Sequence, residues 1–200
     1  EALLLTRAGQ DLPVEAVIRA CDLLSGSLNE REHLSLLVAL GMPEYKAKLE
    51  LGMVKEMLSR QYLENRLLRE FGGQLEDCHT PYANHAAVRQ RYAPLGVLLH
   101  IAAGNVDALP AFSVIEGLLT GNVNILKLPS EEDGLSIAVL ENLIQIEPRI
   151  APYVFVFDFP SENIEAIQRM ADVADAIVVW GGDAAIGAIR RMASPDTRLI

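Results

Sequence analysis

The sequence predicts an α/β fold in which a doubly wound, mostly parallel sheet, residues 94–200, follows a helical region, residues 1–93. In the second part, short apolar runs alternate four times with amphipathic segments, an order that requires parallel strands and right-handed crossovers. The first part carries its apolar residues at helical spacing instead. Half of the 200 residues are hydrophobic and 22% are charged, which excludes disorder as the main state.

The helical region is predicted to contain three helices. The first spans residues 13–24, and Asn29 offers an N-cap for the second. A third, long helix is predicted over 44–71, with Gly72 as its C-cap, and the segment 80–92 is expected to form a bridging pair of strands. The inward face of the long helix is predicted to carry Leu49, Met53, Leu58, Tyr62 and Leu67.

The sheet region is predicted from five apolar runs. The first run is nearly continuous, as is typical of a strand buried on both faces. The predicted strands are 97–101, 123–128, 153–157, 176–180 and 197–200. The predicted helices between them are 108–120 with Asp107 as N-cap, 135–146, 161–171 with Ser161 as N-cap, and one that follows Gly181-Gly182 and runs through Met192. Ligands bind such sheets outside the carboxyl ends of the strands, so functional residues are expected there.

Three strand ends carry residues that could bind a ligand. Asn105 follows the first strand, where its amide could donate to a developing oxyanion, or where a Gly-Asn pair forms only a turn. Lys127 closes the second strand and could bind ribose hydroxyls or phosphate, or be a surface lysine. The glycines of 181–187 follow the fourth strand, where they allow close backbone approach beside a phosphate-attracting helix N-terminus. From the residues alone, both interpretations of the asparagine and of the lysine stay open.

Composition excludes several classes of function. The net charge is −10 with no basic block, so nucleic acid is not an expected partner, and no apolar run is long enough for a membrane span. Cys21 and Cys78 are too few for a disulfide framework and lack metal-ligand spacing, which predicts a reducing cytoplasm and no metal site. Cys78 is interpreted as a bystander thiol and His100 as a satisfied core histidine. The chain begins with Glu1 and ends as a new apolar run starts, so we expect a fragment of a longer protein.

An ordered set of motifs carries a family resemblance. PLGV at 94–97 is followed by Asn105, by LTGNVNILK at 119–127 and by GDAAIG at 182–187. This order and spacing resemble the N-terminal, dinucleotide-binding part of the aldehyde dehydrogenase superfamily. The stretch LLHIAAGNVDALPAFSVIEGLLTGNVNILKLPS, residues 98–130, is most similar to one branch, the acyl-CoA reductase (LuxC-type) family, which makes fatty aldehydes for bacterial bioluminescence.

The resemblance implies roles for five residues. Asn105 falls on the asparagine whose amide joins the oxyanion hole, and Lys127 on the lysine that hydrogen-bonds the adenosine ribose. Ser130 falls where NAD-preferring members often place a glutamate. A serine does not repel a 2′-phosphate, so the resemblance favours NADPH, with NADH as the alternative. Gly182 and Gly187 bracket the helix start that faces the pyrophosphate.

The resemblance also implies residues that this sequence lacks or changes. The family's catalytic cysteine lies in a second domain, and neither Cys21 nor Cys78 matches its position. Asp183 departs from the small hydroxyl residue common in the family, and we expect it to cap its helix. The implied domain organisation is therefore a helical region with a bridging segment, then a cofactor-binding domain, with the catalytic domain absent from this chain.

The implied activity is NADPH-dependent reduction of a fatty acyl-CoA thioester to the aldehyde through a thioester-linked acyl-enzyme, and the fragment alone is expected to be inactive. Implied partners are acyl-CoA, subunits of a fatty acid reductase complex, and further copies of the protein in a homo-oligomer. Two alternatives stay open. One is a CoA-acylating short-chain aldehyde dehydrogenase, and the other is a non-catalytic nucleotide-binding or assembly module.

Overall fold

The structure is a computed structural model that describes residues 12–28, 30–39, 41–72, 78–81, 87–90, 92–102, 108–129 and 134–200. The chain divides into two compact units. The helical unit is Cys21–Pro94, and the sheet unit combines Glu1–Ala20 with Leu95–Ile200. No helix among the described residues is long and apolar enough to cross a membrane.

The described residues before the sheet form four helices, namely α1 (Val14–Ser27), α2 (Glu30–Ala39), α3 (Glu44–Leu58) and α4 (Arg60–Phe71). The prediction of one helix over 44–71 is wrong, because the helix breaks at Ser59. Ser59 has an extended backbone, and its Oγ accepts a hydrogen bond of 3.3 Å from the backbone N–H of Tyr62. A serine oxygen satisfies an amide that has no partner inside the helix, which makes serine a favoured N-cap. The predicted N-cap Asn29 lies outside the described residues.

The buried face of α3 differs from the predicted one. Leu49 is 63% exposed and Met53 is 49% exposed, so their predicted inward positions are wrong, whereas Leu58 is buried as predicted. The side chains that α3 buries are Ala47, Leu51, Val54 and Leu58. On α4 the buried residue is Leu63, while Tyr62 and Leu67 are half-buried. Helix α3 carries two stripes of apolar residues, and the periodicity of the sequence does not show which stripe is buried.

The remainder of the helical unit follows the predictions more closely. Gly72 ends α4 in the left-handed conformation, with φ 67°, as a helix C-cap requires. A bridging pair of strands is present, formed by β1 (Cys78–Pro81) and β2 (Ala87–Gln90), which pair antiparallel. The pair begins two residues earlier in the chain than predicted.

The sheet unit contains a five-stranded parallel sheet. Its strands are β3 (Val97–Ile101), β4 (Val123–Lys127), β5 (Val154–Phe157), β6 (Ala176–Val179) and β7 (Arg198–Leu199). Their order across the sheet is β5-β4-β3-β6-β7, and all four adjacent pairs are parallel. The predicted fold class is therefore confirmed. Strands β3 and β4 are buried along almost their whole length, which fits their mostly apolar sequences.

Helices connect consecutive strands in the predicted places. They are α5 (Leu109–Leu119), α6 (Leu135–Ile146), α7 (Ile164–Asp172) and α8 (Asp183–Met192), with a 3₁₀ helix (Pro148–Tyr153) before β5. Helix α5 is almost completely buried and packs against β3 and β4. Gly121 follows it with φ 74°, which confirms the predicted stop. The predicted cap Asp107 lies outside the described residues.

Two predicted N-caps are wrong. Asn163, not Ser161, caps α7, and its Oδ1 accepts a 3.2 Å hydrogen bond from the backbone N–H of Ala166. Asparagine and serine are about equally good caps, so composition could not decide between two candidates two residues apart. At α8 the cap position is held by Gly182, and Asp183 is the first helical residue. A carboxylate at that position is still stabilised by the positive end of the helix dipole.

Candidate functional site

The order of the strands places a crevice beside β3. From β3 the chain moves outward to β4 and β5, then returns to β6 on the other side of β3. Neighbouring strands whose connections run in opposite directions leave a crevice outside their carboxyl ends, and this is where such sheets bind ligands. Ile101, the last residue of β3, pairs with Lys127 on one side and with Val179 on the other. We call the group formed by these three strand ends the carboxyl-terminal end of the sheet.

Lys127 is buried at this end. Only 3% of the residue is exposed, so the surface-lysine interpretation is wrong. Its Nζ donates a 2.7 Å hydrogen bond to Ser161 Oγ and lies 5.9 Å from the centre of the Phe159 ring. Burial lowers the pKa of the ammonium, while the carboxylates of Asp158 and Glu162 oppose that shift. The protein thus holds a cation at the carboxyl end of a central strand and orients it from the loop after β5.

The other side of β3 carries an aromatic residue and two glycines. Trp180 follows β6, its backbone N–H donates to the carbonyl of Ile101 at 2.9 Å, and 41% of the residue is exposed. Gly182 caps α8, whose N-terminus therefore lies at the same end of the sheet. A Cβ added at Gly182 would meet no atom within 4 Å, and one at Gly187 only Arg191 Nη1 at 3.7 Å. Packing does not require glycine at either position, and Gly182 leaves open space beside a helix start that attracts anions.

Two of the predicted site residues, Asn105 and Ser130, lie outside the described residues. The structure places the strand ends that precede them. Ile101 and Lys127 are register partners, so the chain leaves β3 and β4 at the same end of the sheet.

The amino-terminal end of the sheet is closed by the chain's own hydrogen bonds. The Gly96 N–H donates to Asn122 Oδ1 at 3.0 Å, and the Val97 N–H donates to Asp175 Oδ2 at 2.8 Å. Gly96 has φ 123°, and a Cβ there would meet the Asp175 carboxylate at 2.1 Å. These polar side chains serve the backbone, which makes the two ends of the sheet chemically different.

A buried chain of hydrogen bonds runs from Trp180 across the sheet, and sequence analysis missed it apart from the core histidine. The Trp180 indole Nε1 lies 3.2 Å from Ser113 Oγ, and Ser113 Oγ lies 2.7 Å from His100 Nδ1. His100 Nε2 lies 3.0 Å from Asn124 Oδ1. Asn124 Nδ2 donates to the backbone carbonyls of Asn122 and Tyr153, at 2.8 Å and 3.3 Å. We call these four side chains the Trp180–Asn124 relay.

One arrangement of protons satisfies the whole relay. Both Asn124 N–H bonds are used on carbonyls, so its Oδ1 must accept from His100 Nε2–H. His100 Nδ1 then accepts from the Ser113 hydroxyl, whose oxygen accepts from the indole N–H of Trp180. Burial lowers the pKa of His100 to about 4, so the ring is neutral at neutral pH and the predicted satisfied core histidine is confirmed. Polar residues inside two otherwise apolar strands were the available sequence signal.

Helix α5 contains a glycine because of this relay. A Cβ added at Gly117 would lie 1.9 Å from Asn124 Oδ1 and 3.2 Å from Leu98 Cδ1. The missing side chain lets the helix approach β4 closely enough to enclose the asparagine. A glycine in a helix interior otherwise costs about 0.5–1 kcal/mol relative to alanine.

Neither cysteine is identified as a nucleophile. Cys21 is buried, and burial together with the Asp22 carboxylate raises the pKa of its thiol to about 12. At neutral pH roughly one molecule in 10⁵ would carry the reactive thiolate. Cys78 lies on β1, and its side chain is outside the described part of the structure. Among the described residues there is no cluster of His, Cys, Asp and Glu that could hold a metal ion.

A separate groove lies within the helical unit. It has a volume of about 420 Å³ and is lined by polar side chains around the junction of α3 and α4. Its lining residues are Glu56, Ser59, Gln61, Tyr62, Asn65, Arg66 and Arg69. Nothing in the groove resembles the arrangement at the carboxyl-terminal end of the sheet.

Fold and strand order together define a doubly wound α/β class of protein, whose members bind ligands at the carboxyl ends of the strands. The family model for acyl-CoA reductase (LuxC) matches residues 10–200, and this chain belongs to that family. The resemblance drawn from the sequence motifs is therefore confirmed.

Two relatives define the extent of the similarity. The long-chain acyl-protein thioester reductase of Vibrio harveyi is 27% identical over 157 residues, covering 76% of this chain and 32% of the relative. That of Aliivibrio fischeri is 32% identical over 96 residues, covering 46% of this chain and 20% of the relative. The chain thus spans about a fifth to a third of the length of these relatives.

Solved structures share the fold. Proline utilization A of Bradyrhizobium japonicum, as its D779Y mutant, superposes with a TM-score of 0.77 at 19% identity, over 100% of this chain and 21% of that one. The NADP-dependent glyceraldehyde-3-phosphate dehydrogenase of Bacillus halodurans, solved with NADP, gives 0.70 at 20% identity, over 99% of this chain and 42% of that one. At these identities the likeness establishes the fold alone.

Proposed function

We propose that residues 94–200 form the nicotinamide-dinucleotide-binding domain of an enzyme that reduces a long-chain acyl thioester to the aldehyde. The observation that carries the proposal is the buried, oriented ammonium of Lys127 at the end of β4, next to strand β3, which borders the crevice. Relatives named long-chain acyl-protein thioester reductases support the substrate class. The family description supports acyl-CoA as the thioester.

The residues present fit such a cofactor. Lys127 donates to the adenosine ribose from the β4 side of the crevice, and Ser161 holds the ammonium in place. On the β6 side, the open backbone at Gly182 and the N-terminus of α8 accept the pyrophosphate. Gly187 adds no side chain to the second turn of that helix. Asp183 opposes a close phosphate contact through its own side chain, so the backbone carries the anion contact there.

The acyl chemistry requires two further groups. Asn105 donates an amide N–H to the oxygen of the reacting thioester. A thiolate from another part of the protein attacks the thioester carbonyl, and the bond to the CoA sulfur breaks, so that CoA leaves and the acyl group is held as an enzyme thioester. Bound in this crevice, the dinucleotide supplies the hydride. The raised pKa of Cys21 supports the assignment of the nucleophile elsewhere. On this account the 200-residue chain binds cofactor but reduces no thioester by itself.

We further propose that the cofactor is NADPH, on the basis of Ser130. A glutamate at that position would repel a 2′-phosphate and would hydrogen-bond a 2′-hydroxyl instead. Ser130→Glu should therefore lower the ratio of kcat/KM for NADPH to that for NADH by about 10- to 100-fold, the usual worth of a charge-assisted hydrogen bond. An unchanged ratio would remove the reason for preferring NADPH over NADH.

The proposal extends to partners and compartment. Acyl-CoA is the small-molecule partner. The macromolecular partners are further subunits of a fatty acid reductase complex and further copies of this protein. The protein is located in the cytoplasm. Elution of the full-length protein as a monomer, alone and with candidate subunits, would contradict the assembly part.

The central experiment uses the full-length protein with a long-chain acyl-CoA and NADPH, and measures NADPH oxidation together with the aldehyde formed. We expect Lys127→Met to raise KM for NADPH about tenfold or more while changing kcat little, because a ground-state contact is removed. Lys55→Met, in the helical unit, is the matched control and should leave both constants unchanged.

Other outcomes separate the alternatives. Turnover that is fastest with short acyl chains would identify a CoA-acylating aldehyde dehydrogenase. Binding of NADPH without turnover of any acyl thioester would identify a nucleotide-binding module. Turnover unaffected by Lys127→Met would remove Lys127 from the cofactor site.

A further inference from the structure

We propose that Trp180 is the stacking platform for the nicotinamide ring, and that Ser113, His100 and Asn124 are positioning residues that fix the orientation of its indole. The inference rests on the proposed dinucleotide site and assigns a subsite within it. Its ligand class is a planar, heteroaromatic ring joined to a ribose.

A hydrogen bond from its indole N–H to Ser113 fixes the partly exposed side chain of Trp180. The indole Nε1 points to Ser113, which is buried, while 41% of the Trp180 residue is exposed. Its backbone is fixed as well, through the hydrogen bond from Trp180 N–H to the Ile101 carbonyl beside the crevice. A tryptophan whose indole N–H is already hydrogen-bonded loses little further side-chain freedom when it binds a ligand. Its flat apolar face is therefore suited to stack on a planar ring.

The Trp180–Asn124 relay fixes the acceptor of the indole N–H. Each proton between Trp180 and Asn124 has one acceptor, and the series ends on two backbone carbonyls, those of Asn122 and Tyr153. Both carbonyls precede strands, at the amino-terminal ends of β4 and β5. The orientation of a surface ring is thereby tied to the backbone at the opposite end of the sheet. A buried, saturated series of this kind is costly to rearrange, because any rotation leaves a buried polar group unpaired.

The position across the sheet selects the nicotinamide half of the ligand. Strands β4 and β6 lie on opposite sides of β3, so Lys127 and Trp180 are separated by two strand spacings, about 10 Å. When Lys127 holds the adenosine ribose, the pyrophosphate crosses β3 toward the N-terminus of α8. The nicotinamide riboside then continues to the β6 side, where Trp180 stands.

The first test follows the emission of Trp180, the single tryptophan of this chain, as the difference between the protein and its Trp180→Phe variant. Saturating NADPH or NADP⁺ should reduce this emission at least twofold. The adenosine half alone, 2′,5′-ADP, should displace NADPH and leave the emission unchanged. Equal quenching by 2′,5′-ADP would overturn the proposal, since adenine would then occupy the platform.

The second test addresses the positioning residues. Ser113→Ala removes the acceptor of the indole N–H and should weaken NADPH binding about five- to tenfold, while the affinity for 2′,5′-ADP stays within twofold. Ser113→Thr restores the hydroxyl and should recover most of the NADPH affinity. Ser136→Ala removes another buried serine of the sheet unit and is the matched control, expected to change neither affinity. Equal weakening of both ligands by Ser113→Ala would mean a merely structural role.

These results are distinguishable from failure of the proposed function. NADPH binding that depends on Lys127 but leaves the Trp180 emission unchanged overturns the platform and keeps the dinucleotide site. Absence of NADPH binding to the protein overturns both.

Discussion

The sheet unit and the helical unit differ in how tightly the sequence constrains burial. In β3 and β4 nearly every residue is buried and seven of the ten are apolar, so neither strand has a face that must be assigned to solvent. In α3 two apolar stripes share one helix, and the structure buries Leu51 and Val54 while it exposes Leu49 and Met53. Continuous hydrophobicity therefore predicts an environment directly, whereas amphipathic periodicity predicts it only once a packing partner is known.

The largest contrast should come from a pair of mid-helix glycines. Gly117→Ala in the sheet unit drives a Cβ into the Asn124 amide and should destabilise the protein by about 3 kcal/mol, through overpacking and loss of buried hydrogen bonds. Gly52→Ala in α3 meets open space and should stabilise it by about 0.5–1 kcal/mol. Urea unfolding measures both. A Gly117→Ala protein as stable as the parent would contradict the close approach of α5 to β4.

A pair of leucines two residues apart tests the corrected face of α3. Leu51 is buried and Leu49 is largely exposed, so Leu51→Ala should cost about 3 kcal/mol and Leu49→Ala less than about 0.5 kcal/mol. The comparison holds residue type and helix constant. If the larger loss came from Leu49→Ala, the face predicted from periodicity would be restored and the observed one would be wrong.

The next effect is the pH dependence introduced by His100. Its pKa is lowered from 6.5 to about 4, so the unfolded chain takes up a proton between these values and the folded chain does not. Stability should therefore fall as the pH falls below 6.5, with a contribution of about 2 kcal/mol between pH 7 and pH 5. His100→Gln should remove that contribution. In NMR spectra the His100 ring should not titrate above pH 5, and titration near 6.5 would contradict its burial in the relay.

The smallest expected effect concerns the break between α3 and α4. Ser59→Ala removes an N-cap and should cost about 1 kcal/mol. Ser35→Ala lies inside α2, where the hydroxyl bonds back to the Arg31 carbonyl, and should be neutral or slightly stabilising. Stabilisation by both substitutions would indicate one continuous helix over 44–71.

The limits of sequence prediction lie where a choice depends on a distant residue. The strands, their parallel order and the stop at Gly121 follow from local apolar runs and from backbone chemistry. Ser161 was predicted to cap a helix because local chemistry favours it, but the structure uses it to hold Lys127, which is 34 positions away in the chain.

The relay shows the same limit. His100, Ser113, Asn124 and Trp180 lie on four different elements or their ends, and only the fold brings them together. No local pattern marks such a set. Local motifs did point to the strand ends that form the candidate site. Proteins of this fold class bind ligands at those ends, and glycine and lysine are residue types that suit ligand binding there.

NMR shift mapping with NADPH is the direct test of whether a nicotinamide dinucleotide binds at the carboxyl-terminal end of the sheet. We expect the largest, saturable shifts at Lys127, at the Trp180 indole N–H and at Gly182. The amino-terminal end offers an internal control, and the amides of Gly96, Val97 and Asp175 should stay in place. Largest shifts at that opposite end or in the groove around Ser59, or no saturable shift at all, would contradict binding at the carboxyl-terminal end.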